Sequence, residues 1–179
     1  MNPKETVNIR ECALDDMPSV QAIYAREVET GLASFEYEPP AVEEMTRRFQ
    51  EFRASGMPYY VAEIGGQVVG YAYGSAFRPR FGYRFTAEDS VYLAPDARGK
   101  GVGKLLLQQV IQDCERGGWR QMIAAIGDSG NTPSIALHAS LGFRQVGIQK
   151  SVGFKLGQWV DVVIMQLELG EGDHTLPDG

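Results

Sequence analysis

The chain has 179 residues, 44% of them hydrophobic and 22% charged, with a formal net charge of −6 at pH 7. That is the length of one domain, with enough apolar residues to bury a core without staples. The acidic balance argues against a general nucleic-acid binder, and no apolar run reaches the length of a membrane span.

Met1 to Thr6 lacks the apolar segment of a secretory signal, which makes a cytoplasmic location the default. Residues 7–11 alternate and predict a first strand. Asp15 and Asp16 are N-cap candidates for a helix with Pro18 in its first turn, and Val20, Ile23, Tyr24 and Val28 keep helical spacing up to Gly31. An aromatic loop over 33–37 is closed by Pro39 and Pro40. A second helix is predicted over Val42–Ala54, with Met45, Phe49 and Phe52 on one face and Gly56 at its end. Residues 59–64 and 67–75 are strand-like runs joined by Gly65-Gly66, a hairpin signal.

Residues 77–85 are cationic and aromatic and carry turn residues; 85–93 form the next strand. Helix 102–116 shows Val102, Leu106 and Val110 at i+4 and stops at Gly117-Gly118. Residues 121–126 form the next strand, whose apolar run from Met122 to Ile126 is that of an interior strand buried on both faces, as parallel strands are. Thr132 as N-cap and Pro133 in first position start a helix that runs to Leu141 and stops at Gly142. Strands 143–151 and 158–167 close the chain, linked by 153–157, and 170–179 read as a frayed tail. The order β-α-α-β-β-β-α-β-α-β-β is that of one mixed α/β domain. Cys12 and Cys114 sit in apolar patterns and are expected reduced and buried. His138 and His174 make no recognisable zinc site, so no metal is expected.

The stretch after residue 93 carries the chemistry. A strand, a loop with Gly99, Gly101 and Gly103, and a helix follow one another directly. The unpaired N–H groups of such a loop and of the helix start bind anions, usually phosphate, and glycine lets the backbone come close. Arg98, Lys100 and Lys104 add the local positive charge that an acidic chain needs to draw an anion. The dinucleotide fingerprint fails, because its third glycine falls on Lys104. The phosphate loop of nucleotide hydrolases is absent. A tight glycine-rich turn without a ligand is the competing reading of the loop.

Arg98-x-x-Gly101-x-Gly103 resembles the pyrophosphate loop of the GNAT superfamily of acyl-CoA-dependent N-acetyltransferases. Further segments resemble its phosphinothricin acetyltransferase subfamily: Arg78-Pro79-Arg80, the run from Tyr83 to Leu93, Asn131-x-x-Ser134, Leu137-His138-x-x-Leu141-Gly142-Phe143, and the run from Val152 to Asp161. The resemblance implies a single GNAT domain over 1–168, a mixed sheet of about seven strands flanked by about four helices, with 169–179 as a flexible tail. It implies acetyl-CoA as donor, a small amino-acid-like acceptor such as phosphinothricin, methionine sulfoximine or methionine sulfone, and a homodimer. Asp89 stands where some relatives carry His, Arg80 where some carry an aromatic, and His138 where many GNAT enzymes carry a Tyr acid.

Carried onto this chain, the resemblance makes Glu88 the general base, against an exposed or salt-bridged strand carboxylate. Val91, Tyr92 and Leu93 offer backbone groups to the cofactor. Backbone groups of Gly99, Lys100, Gly101, Val102, Gly103 and Lys104 hold its pyrophosphate, with Arg98 and Lys100 as side-chain contacts or solvated charges. Asn131 and Ser134 serve its pantetheine arm or merely start a helix. His138 and Tyr92 are rival general acids, and His138 has a simple packing role as its alternative. Phe35, Arg78, Pro79, Arg80, Tyr83 and Arg84, with Glu88, Asp89 and Ser90, form the substrate wall, or a basic loop or dimer contact. Lys155, Trp159 and Asp161 complete the pocket or the interface. Competing functions are acetylation of another small amine or a peptide N-terminus, and a non-catalytic acyl-CoA sensor with no need for Glu88.

Overall fold

A computed structural model of the chain describes residues 6–177. Residues 1–5, part of the N-terminal segment considered above, and 178–179, the end of the expected tail, lie outside the described residues. The elements are β1 Asn8–Glu11, α1 Met17–Thr30, α2 Val42–Ala54, β2 Tyr59–Ile64, β3 Gln67–Ala76, β4 Thr86–Leu93, α3 Val102–Arg116, β5 Gln121–Gly127, α4 Thr132–Ala139, β6 Arg144–Lys155 and β7 Gln158–Glu168. The strands form one seven-stranded sheet in the order β1-β2-β3-β4-β5-β7-β6. All neighbours are antiparallel except β4 and β5, whose parallel pairing needs the crossover that α3 provides.

Side-chain alternation puts a helical layer on each face. Tyr59 and Val61 of β2 pack with Val20 and Tyr24 of α1 and Phe49 of α2, whereas Tyr60 and Ala62 pack with Leu106, Val110 and Cys114 of α3. On the α1/α2 face Tyr71 stacks on Tyr59 at 5.9 Å and on Tyr92 at 5.3 Å between ring centroids. These rings form a stiff floor under the last half of β4. The two cysteines are free and buried.

The structure corrects several boundaries. α4 is capped by Asn131, not Thr132: the Asn131 side chain accepts from the Ser134 N–H at 3.3 Å, and the helix ends at Ala139. Gly153 is not in a link but in the β6–β7 ladder, opposite Val160. The turn is Leu156-Gly157, with φ of 50° and 77°, the left-handed pair that tight hairpins use. The irregularity lies earlier, between Gln149 and Gly153, where Asp161 accepts from the Ser151 N–H at 2.9 Å and the Lys150 ammonium at 2.8 Å. Asp16 does more than cap: a short 3-10 turn, Leu14–Asp16, precedes α1, and its carboxylate takes both Arg10 nitrogens at 2.7 Å. Leu169 is fully buried in the main core, and Arg120 reaches Thr175 Oγ1 at 2.9 Å.

Leu106 is 0% exposed in the core under β4. Leu106→Ala is expected to lower unfolding free energy by about 2–5 kcal/mol in a urea titration; a loss well under 1 kcal/mol would show that this core is not packed as described.

Candidate active site

Gly99 and Gly101 have φ of 72° and 80°, where a side chain is strained. The first N–H of α3 to find a main-chain acceptor is that of Leu105, which donates to Gly101 O at 3.2 Å. The N–H groups of Gly99, Lys100, Gly101, Val102, Gly103 and Lys104 before it have no acceptor among the described residues. The helix dipole adds to their pull on an anion. Val102 is wholly buried, so its backbone and not its side chain is available. Lys100 and Lys104 are exposed, and Arg98 lies 3.4 Å from Glu27 of α1. A Cβ on Gly103 would sit 3.2 Å from Leu137 and 3.3 Å from Leu93, so this glycine brings the helix start close to both β4 and α4.

The parallel pairing of β4 with β5 stops at Glu88 and Ile123, although β4 continues to Leu93 and β5 to Gly127. Which backbone groups this leaves open follows from hydrogen-bond parity. Phe77 N donates to Thr86 O at 3.1 Å and Ala94 N to Val69 O at 2.8 Å, so even-numbered β4 residues turn their main chain to β3. Gln121 N donates to Phe85 O at 3.2 Å, so odd-numbered residues face β5. Beyond Glu88 β5 is no longer paired to β4, and the main-chain groups of Val91 and Leu93 face a cleft. Tyr92, expected to offer backbone groups too, directs them at β3 opposite Tyr71. The cleft, a cavity of about 60 Å³, is bounded by Ser90 to Tyr92, Ala124 to Gly127, and Asn131, Ser134 and His138 of the α4 region.

Glu88, Ser90 and Tyr92 point to the α1/α2 face of the sheet and Asp89 and Val91 to the α3/α4 face. Glu88 is half-buried and has no hydrogen-bond or salt-bridge partner among the described residues. Burial raises its pKa, the neighbouring Asp89 charge adds to this, and Arg78 opposes both. Burial, with other tyrosines nearby, holds the Tyr92 hydroxyl well above the ordinary tyrosine value. His138 is 2% exposed; its Nδ1 lies 2.8 Å from Ser134 O and its Nε2 3.0 Å from Asp89 Oδ2. Burial pulls the His138 pKa down, but the hydrogen bond and charge of Asp89 and the Ser134 carbonyl raise it further, for a net rise. Asp89 was expected on the substrate wall; it is 7% exposed and turned inward to His138.

Residues 20–143 match the profile of the "Acetyltransferase (GNAT) family". The chain belongs to the GNAT acetyltransferase family. It is 57% identical over 164 residues to a phosphinothricin N-acetyltransferase of Alcaligenes faecalis, covering 92% of this chain and 83% of that one. It is 39% identical over 165 residues to an L-methionine sulfoximine/L-methionine sulfone acetyltransferase of Pseudomonas aeruginosa, covering 92% and 95%. Among solved structures, the GNAT phosphinothricin acetyltransferase of Sinorhizobium meliloti in complex with acetyl-CoA superposes with a TM-score of 0.94 at 47% identity, covering 97% of this chain and 94% of that one.

On the Glu88 side of this GNAT domain, the 33–37 loop is strapped down. Lys155 donates to Ser34 O, the Tyr37 hydroxyl to Phe154 O, and Arg48 Nη1 to Glu36 at 2.7 Å. The Phe35 ring lies against Gly153, where a Cβ would come within 2.4 Å of it. Burial lowers the Lys155 pKa, against Glu27 and Glu36. The part played here by Tyr24, Ser34, Glu36 and Arg48 has no local sequence signal, because their partners lie on separate elements. Arg78 stacks 4.8 Å from the Phe77 ring and Arg84 4.2 Å from that of Phe81. Tyr83 packs edge-on to Phe77, and Pro79 and Arg80 are exposed. Arg78, Arg80 and Arg84 have no carboxylate partner among the described residues, unlike Arg10, Arg48 and Arg98.

Gly103→Val is expected to push the start of α3 off Leu137 and Leu93 and weaken acetyl-CoA binding at least about tenfold by calorimetry, a loss of about 1.4 kcal/mol, while unfolding stays cooperative. Unchanged affinity would show that the cofactor does not use this helix start.

Proposed function

We propose that this protein transfers the acetyl group of acetyl-CoA to the α-amino group of a small amino-acid-type acceptor of the phosphinothricin or methionine sulfoximine kind, by direct attack with Glu88 as general base. The observation that carries this reading is Glu88 itself: a half-buried carboxylate with no partner, at the point where β4 and β5 part. A carboxylate at its ordinary pKa is a weak base for an ammonium, and the burial and Asp89 charge that raise it bring it nearer to the task.

The remaining groups divide the work by position. The N–H groups from Gly99 to Lys104 hold the pyrophosphate, with Lys100 and Arg98 beside them. The Val91 and Leu93 main chains align the arm and give the thioester oxygen an N–H donor. Asn131 Oδ1 is used in capping α4, which leaves its amide N–H₂ for the arm, with Ser134 next to it. Arg78 and Arg84, stacked on aromatic rings, and the exposed Arg80, all without a carboxylate partner among the described residues, suit the acceptor's acid group, with Phe35, Pro79, Tyr83 and Ser90 as surroundings. Nitrogen bonds to the acetyl carbon as the C–S bond breaks. The ammonium loses two protons, the first to Glu88; the sulfur gains one, and one is released to solvent. Tyr92, protonated and with no hydrogen bond from its hydroxyl among the described residues, is the donor to sulfur. The names of the relatives at 57% and 39% identity support the acceptor class.

The protein acts as a homodimer in this reading. β6 is an edge strand whose apolar side chains, Val146, Ile148, Val152 and Phe154, lie exposed beside Trp159 of β7 at 68% exposure. Long apolar edges of this kind invite pairing, and a second copy supplies the matching surface. The two free cysteines suit the reducing cytoplasm.

Glu88→Gln is expected to lower kcat by about 100-fold or more with the acetyl-CoA Kd unaltered. In the parent enzyme the acid limb of kcat/KM should lie above the ordinary carboxylate range, since the raised pKa means that Glu88 must lose its proton as pH rises before it can act. Near-normal turnover of the Gln variant at neutral pH would remove Glu88 from this role. Val152→Lys together with Trp159→Lys should convert a dimer to a monomer in light scattering after size exclusion; a monomeric parent protein would refute the interface.

A further inference from the structure

Two buried groups, Asp89 and His138, are left over from the mechanism above. His138 Nδ1 faces Ser134 O at 2.8 Å, and a carbonyl oxygen can only accept. The Ser134 hydroxyl is farther, at 3.5 Å, so the carbonyl is the main partner and Nδ1 carries a proton. Nε2 faces Asp89 Oδ2 at 3.0 Å, and an ionised carboxylate also only accepts. A neutral ring with its proton on Nδ1 would set a nitrogen lone pair against an oxygen lone pair in a site where the two side chains are 3% and 2% exposed. One more proton belongs between them. The second oxygen, Asp89 Oδ1, is buried and has no hydrogen-bond partner among the described residues, and Asp89 lines the cleft. A buried carboxylate oxygen left without a donor is destabilising, so a ligand that brings an N–H to it is favoured.

We infer that Asp89 is a positioning residue: it holds His138 doubly protonated, the pair pins the last turn of α4 to β4 and so sets the wall of the cleft, and its free Oδ1 accepts an amide N–H from the thioester arm. This rests on the assignment of the cleft to that arm. The pair clamps the two elements at one residue's remove from Glu88, on the opposite face of the strand. Few other titratable groups face it. α3 contributes the Cys114 thiol, which burial pushes up to about 12 and so keeps uncharged. β4 adds Glu88, β5 carries no ionisable side chain, and His138 is the sole one of α4. Loss of either ring proton sets a nitrogen lone pair against an oxygen, at Asp89 or at the Ser134 carbonyl, so acetyl-CoA binding should weaken as the ring deprotonates on the alkaline side.

Nitrogen-15 NMR of the histidine-labelled full-length protein tests this without reference to turnover. His138 should show both ring nitrogens protonated at pH 7.5, above the ordinary histidine range. In Asp89→Asn the amide N–H₂ can donate to Nε2, so the ring should become neutral with its proton on Nδ1. Asn keeps a cleft-facing oxygen: at pH 6.5 its acetyl-CoA Kd should stay within about threefold of the parent value, whereas Asp89→Leu should lose about tenfold or more. Between pH 6.5 and 9.5 the parent Kd should follow the ring titration, and that of Asp89→Asn should not. A neutral His138 in the parent protein at pH 7.5, or a Kd that ignores the ring titration, overturns the pair. Ring signals unmoved by saturating acetyl-CoA overturn the cleft assignment itself, and with it the role of Oδ1.

Discussion

The site depends on one interruption: a parallel ladder that stops three residue pairs after it begins. β4 and β5 are joined at Thr86, Ala87 and Glu88 and then part, although each strand runs on. In a closed sheet the main-chain groups of Val91 and Leu93 would bond to β5. Here they border a cleft, and an arm with amide groups can take the place of the missing strand. Because backbone groups buried without partners are strongly disfavoured, the opening is itself a reason for a ligand to bind.

The parting also connects the two faces of the sheet. A strand turns successive side chains to opposite sides, so Glu88 and Asp89 belong to different layers although they are neighbours in sequence. Glu88 lies on the α1/α2 face, within the field of Arg78, while Asp89 meets His138 on α4. The gap lets one bound molecule touch both sides. In the proposed reading, an acceptor held on one face reaches through it to a thioester whose arm is held by groups on the other.

Charge is managed locally. With a formal net charge of −6, the whole molecule repels a polyanionic donor at long range. In the proposed reading the attraction comes from N–H groups at the start of α3 and from Lys100 and Lys104, which act within a few ångströms. Gly103 makes this possible by allowing the helix to approach Leu93 and Leu137 more closely than a side chain would permit. Rigidity comes from the tyrosine stack on the other face and from straps such as Lys155 to Ser34, which join elements far apart in the chain.

Much was legible in the residues alone, because the features concerned are local. Apolar spacing located the strands and α1, α2 and α3, and Gly99, Gly101 and Gly103 marked the turn that opens α3. Local signals also misled. Gly153 reads as a break, yet it lies inside β6 because the Phe35 ring needs the space a side chain would fill. Thr132 reads as a cap, yet Asn131 takes that place, one residue earlier. The sequence by itself determined the element order, the binding turn and Glu88 as a base to consider. Only the tertiary structure decided that the β4–β5 ladder opens, that Asp89 turns to His138 instead of the acceptor, and that Lys155 clamps the loop. Those outcomes depend on register and on contacts between residues 49 and 121 positions apart, and no local spacing encodes them.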